Sequence, residues 1–85
     1  MTYTITFARS ARKELERLDK KLGLRILDKI EALSAAPRPP GCKKLQGEES
    51  LWRIRIGDYR VIYSVDDKQK IVDVSAVRHR REIYR

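Results

Sequence analysis

Trp52-Arg53-Ile54-Arg55-Ile56-Gly57-Asp58-Tyr59-Arg60-Val61-Ile62-Tyr63-Ser64-Val65 alternates apolar and charged side chains, stops at a glycine–aspartate pair, and alternates again. On a strand successive side chains face opposite ways, so Trp52, Ile54 and Ile56 share one face and Arg53 and Arg55 the other. The two guanidinium groups then stand roughly 7 Å apart, close to the spacing of successive phosphates on a nucleic-acid strand. Gly57-Asp58 reads as a tight hairpin turn, with its residues in the reverse of the favoured Asp-Gly order. Arg60 opens the returning strand beside Arg55. Its phase is ambiguous, because Tyr59, Val61, Tyr63 and Val65 share one face and Arg60, Ile62 and Ser64 the other. Apolar residues on both sides suit a central strand.

Downstream, Asp66-Asp67-Lys68-Gln69-Lys70 closes a second hairpin and Ile71 to Val77 forms a third strand-like run. Arg78 ends it, followed by His79, Arg80, Arg81 and Tyr84. Upstream, Arg38-Pro39-Pro40-Gly41 is a loop. Before it, Ile26, Leu27, Ile30 and Leu33 mark the inner face of a helix that must stop ahead of Pro37, since the residue before proline resists the helical region. Ala11, Leu15, Leu18 and Leu22 mark an earlier helix, with Ser10 as a suitable N-cap among several possible starts from Ala8 to Arg12, and Gly23 as its break. Tyr3, Ile5 and Phe7 fall on one face of a first strand, Thr2 to Phe7. The order is β-α-α-β-β-β. It predicts an α+β fold in which an N-terminal helical hairpin packs on an antiparallel sheet and leaves the other sheet face open. Neither helix is long enough to be stable without that sheet.

The chain has 85 residues, enough for a single domain spanning 1–85, and its apolar share of 41% is too high for a disordered tail. No run of 18 apolar residues occurs, which argues against a membrane span, and the first residues lack the pattern of a signal peptide. These features predict a cytoplasmic protein. One cysteine, Cys42, excludes an internal disulfide, and one histidine, His79, excludes a histidine metal pair. Asp66, Asp67 and Asp73 lack any ligand spacing, glycines are isolated, and no serine sits in a nucleophile motif. Twenty Lys and Arg against twelve Asp and Glu give a net charge of +8, which points to a polyanionic partner. After Ser50 there are seven arginines and two lysines. Arginine offers a rigid, permanently charged fork suited to phosphate. The enzymatic option left open is phosphate chemistry run by cations and one or two proton carriers.

Three segments carry a resemblance: Lys44-Leu45-Gln46-Gly47, then Leu51 to Tyr63, then Arg78-His79-Arg80-Arg81-Glu82-Ile83-Tyr84-Arg85. Together with the opening strand and helical hairpin they resemble the RelE/ParE toxin superfamily, most closely its RelE branch, the ribosome-dependent mRNA endonucleases of type II toxin–antitoxin systems. The resemblance covers essentially the whole chain and implies a small RelE-like fold. It also implies metal-independent cleavage of A-site mRNA by attack of a 2′-hydroxyl on the adjacent phosphate, with no cofactor. Such a reaction needs a group to take the 2′ proton, cations for the phosphorane and an acid for the leaving 5′ oxygen. Arg60 matches the family's phosphate-stabilising arginine, Arg78 the arginine near the leaving group, and Tyr84 the terminal tyrosine that orients RNA.

Arg53 and Arg55 fall where well-known members carry lysines, and an arginine is no general base. Histidine has the ordinary pKa nearest neutrality, so His79 is the preferred proton carrier, with Glu48 and Glu49 behind it. A third option is that no dedicated base exists and positioning supplies most of the rate. Lys44, Arg53, Arg55, Arg80 and Arg81 complete the expected RNA-binding set. The implied partners are the ribosome, mRNA and a cognate RelB-like antitoxin, with a toxin–antitoxin heterotetramer as one assembly open to the pair. The alternative within the superfamily is a ParE-like toxin that binds and inhibits DNA gyrase without cutting RNA.

Overall fold

The computed structural model describes residues 2–45, 47 and 50–79. Along the chain these form β1 (Thr4–Phe7), α1 (Arg9–Glu16), α2 (Lys20–Ala32), β2 (Lys43–Lys44), β3 (Leu51–Ile56), β4 (Tyr59–Asp66) and β5 (Ile71–His79). The strands build one sheet in the order β1-β5-β4-β3-β2. The meander β3-β4-β5 is antiparallel as expected, but β1 runs parallel to β5, with Ile5 opposite Val72 and Phe7 opposite Val74. The sheet is therefore mixed rather than antiparallel. The helical hairpin acts as a long crossover, which is what a parallel neighbour requires.

The helix boundaries also differ from expectation. The break falls at Arg17 and Leu18, not at Gly23, which lies inside α2 and donates its N–H to the Asp19 carbonyl at 2.7 Å. Asp19 sets the restart. Its carboxylate accepts from the Leu22 N–H, satisfying one of the orphan donors of the first turn. Of the possible starts from Ala8 to Arg12, the N-cap of α1 is Ala8 rather than Ser10, and Ala8 has no side-chain cap bond. Its N–H still donates to the Val74 carbonyl at 2.8 Å, so the end of the β1–β5 pairing fixes where that helix begins.

Ala11, Ile26, Ile30 and Leu33 from the helices meet Ile54, Ile56, Val61, Tyr63, Val72, Val74 and Val77 from the sheet in one core. All seven sheet residues lie on one face, which fixes it as the helix-covered side. Each aliphatic side chain buried there stabilises the fold by about 1.5–3 kcal/mol relative to exposure. Tyr63 is fully buried and donates its hydroxyl to the Pro37 carbonyl at 2.7 Å, tying the loop after α2 to the sheet. Burial pushes the Tyr63 phenol well above its ordinary pKa, with Cys42 adding to the effect.

Candidate nucleic-acid interface

The hairpin turn sets the geometry of the basic face. Gly57 has φ +59° and Asp58 does not share a positive φ, as in a type II′ turn, which takes glycine first. The Gly-Asp order is therefore the right one for this turn. It locks Ile56 opposite Tyr59 and hence Arg55 opposite Arg60. Arg60 in turn stands opposite Arg78. Three guanidinium side chains on three adjacent strands thus form one row, on the face away from the helices. Directly opposed side chains in such a sheet start about 4.5–5.5 Å apart at Cβ.

Arg78 joins this row because of a bulge. Ile62 pairs with Ala76 but Tyr63 pairs with Val74, so Ser75 is an extra residue in β5. Before it Val72 and Val74 face the core; after it Val77 does, and Arg78 turns outward. With strict alternation from Val74, Arg78 would point into the core instead.

The next row on the same face runs from Lys43 through Arg53 to Ile62 and Ala76. Lys43 is the cation that the sequence alone did not single out. The expected Lys44 pairs with Trp52 and lies on the helix side. β2 is only two residues long, too short for any alternation pattern to reveal it. Arg60 is 6% exposed, whereas Arg55 is exposed and Arg53 and Arg78 are half-buried. Arg55 donates its Nε–H to the Gly57 carbonyl at 3.1 Å, and Arg78 Nη1 lies 3.3 Å from Glu14 Oε1 of α1.

His79 is not brought to this row. As the neighbour of Arg78 in β5 it faces the opposite side, where it meets Tyr59 edge to face with ring centroids 5.2 Å apart. The strand reaches through His79, two residues beyond the expected end at Val77. Arg80, Arg81, Tyr84, Glu48 and Glu49 lie outside the described residues. Among the described residues, no three His, Cys, Asp or Glu side chains gather in a way that could hold a metal ion. No helix among them is long and apolar enough to cross a membrane.

Two further features flank the basic face. At the opposite end of the sheet, Asp67 accepts two bonds from Arg38, at 3.2 and 2.8 Å, and one from the Tyr3 hydroxyl at 2.6 Å. These donors hold its carboxyl at about 2, well below the usual carboxylate range. The Arg38 guanidinium also lies over the Trp52 ring, 5.3 Å from its centroid. Near the β3–β4 turn, a groove of about 710 Å³ is lined by Leu33, Ala36, Pro40, Ile54 and Ile56, with Lys29 and Arg55 among its polar residues.

Comparison with known proteins agrees with this architecture. Residues 5–84 match the family model described as the ParE toxin of type II toxin–antitoxin systems, parDE. Toxin RelG of Mycobacterium tuberculosis is 33% identical over 100% of this chain and 99% of its own length. A putative RelE-like toxin protein of Escherichia coli is 32% identical over 99% of this chain and 92% of its own. The archaeal RelE in the RelE–RelB complex from Pyrococcus horikoshii superposes with a TM-score of 0.83 at 35% identity, covering 94% of this chain and 97% of that one. The chain belongs to the RelE/ParE superfamily, as a RelE-like toxin of the type II toxin–antitoxin class.

Proposed function

We propose that the protein is a ribosome-dependent mRNA endonuclease. The observation that carries this reading is the row Arg55–Arg60–Arg78, three fixed cations on adjacent strands of the helix-free face. A substrate 2′-hydroxyl attacks the adjacent phosphorus, the bond to the 5′ oxygen breaks, and the products are a 2′,3′-cyclic phosphate and a 5′-hydroxyl. Charge accumulates on the non-bridging oxygens of the phosphorane, and preorganised guanidinium donors stabilise it more than they do the ground state. Arg60 neutralises those oxygens from the centre of the row, and Arg78 serves the leaving oxygen. Lys43 and Arg53 hold neighbouring phosphates, joined by Arg80 and Arg81, while Tyr84 stacks on a base.

In this reading positioning and electrostatics carry most of the rate. The His79 ring faces away from Arg60 and Arg78, and an arginine does not accept a proton. In this reading the 2′ proton passes to solvent, and solvent supplies the proton that turns the departing 5′ oxygen into a hydroxyl while Arg78 stabilises its charge.

A RelB-like antitoxin is the expected partner. Its acidic residues would cover the arginine row, speeding capture by charge, while apolar side chains fill the groove between α2 and β3. A heterotetramer is the expected assembly.

The test is primer extension on a translated mRNA after brief induction of the protein in bacteria, beside Arg78→Ala. Cuts within codons that vanish in the variant are the expected result. Intact transcripts with growth still arrested would overturn it in favour of the alternative, a ParE-like toxin that binds DNA gyrase.

A further inference from the structure

We infer that Glu14 is a positioning residue for Arg78, an inference that rests on the RNA-cleavage reading above. β1 ends at Phe7 opposite Val74, so from Ser75 to His79 strand β5 runs without β1 beside it. Helix α1 takes that place and packs against β5. The helix is fixed there at two points: the Ala8 N–H bonds the Val74 carbonyl at 2.8 Å, and Ala11 is fully buried. Residues three and four apart share a helix face, so the burial of Ala11 turns Glu14 and Leu15 towards β5 as well. The Glu14 carboxylate, 64 residues from Arg78 in sequence, then reaches its guanidinium at 3.3 Å.

The contact has a purpose that packing alone does not supply. Arg78 stands beside Arg60, which stands beside Arg55, and like charges directly opposite one another repel. An arginine at the end of such a row relieves that repulsion by swinging away on its flexible stem. A negative charge on a rigid helix opposes the swing and holds the guanidinium near the row, so that a phosphate meets a donor already in place. Oriented donors lower the barrier, whereas a donor that must first be ordered gives part of that benefit back. Both partners remain about a third exposed, at 34% and 32% of their side-chain surface. The pair is therefore a guide rather than a mainstay of stability.

The test uses ribosomes programmed with a short mRNA, with cleavage followed under single-turnover conditions. Glu14→Ala is expected to lower the maximal rate about tenfold while the half-saturating concentration moves less than about twofold. Glu14→Asp keeps the negative charge and is expected to recover part of that loss, whereas the neutral Glu14→Gln is expected to recover little. Wild-type cleavage by Glu14→Ala, with Arg78→Ala inactive, would overturn the inference and leave the endonuclease reading standing. Equal losses in the Ala and Asp variants, each matched by a lower melting temperature, would also overturn it by making Glu14 merely structural. Failure of the unaltered protein to cut would remove the endonuclease reading and this inference together.

Discussion

Deleting Ser75 takes the extra residue out of β5 and leaves a regular ladder. Tyr63 stays opposite Val74, Ile62 opposite Ala76, Val61 opposite Val77 and Arg60 opposite Arg78. Strict alternation then carries Val77 to the core and Arg78 to the outer face, where the bulge already puts them. The burial of Val77, 1% exposed in the native fold and worth about 2 kcal/mol, is kept. The loss is confined to the local bend and twist that the bulge adds, and is expected to stay within about 1 kcal/mol, or roughly 4–8 °C in melting temperature for a domain of this size. Arg78 remains in the row, so cleavage is expected to persist. Thermal unfolding followed by circular dichroism, with primer extension on the same variant, reads the two effects. A deletion variant that melts more than about 12 °C below the parent, or that cuts no better than Arg78→Ala, would refute the assignment of Ser75 as the extra residue.

Two further predictions concern the loop after α2. Tyr63→Phe keeps the buried ring but strips the donor from the Pro37 carbonyl; it is expected to lose about 1–2 kcal/mol in urea unfolding at unchanged m, and an unaltered midpoint would count against that bond. Asp67 has a folded-state pKa depressed from 3.8 to about 2 by Arg38 and Tyr3, so its stabilisation is present above the unfolded value and is lost as pH falls through about 4 towards 2. Asp67→Asn should therefore be the less stable protein near neutrality, with the gap to the parent closing as the pH approaches 2. A gap independent of pH would show that the charge on Asp67 plays no part.

Which parts of the fold were legible in the sequence follows from the range of the signals. The β3–β4 hairpin and the meander depend on residues within a few positions of one another, and alternation with Gly57 at the turn was enough to find them. The pairing of Thr4–Phe7 with Ile71–Val74 spans more than sixty residues. Alternation in Tyr3, Ile5 and Phe7 says which side chains face the core, but nothing about which strand lies alongside or in which direction it runs. The helix break was misplaced for a different reason. Two local signals competed, and a carboxylate that caps the Leu22 N–H at the start of α2 outweighed a glycine whose cost inside a helix is only about 1 kcal/mol.

The site was legible wherever the two-residue period of a strand reached. Arg53 and Arg55 on one face, with Arg60 beside Arg55, came from that period alone. The same period also separates Arg78 from His79, because consecutive residues of a strand cannot share a face. Ending the strand at Val77 hid this consequence. The spacing in Val72-Asp73-Val74-Ser75-Ala76-Val77 carries the missing information. Apolar residues two apart become three apart, which a strand accommodates by one extra residue. That single insertion puts Val77 in the core and Arg78 in line with Arg60, and it sends the lone histidine to the helix side. Cations and proton carrier are thereby divided between the two faces of one sheet. That division favours a chemistry in which fixed charge carries most of the catalysis over one built on an arginine–histidine pair.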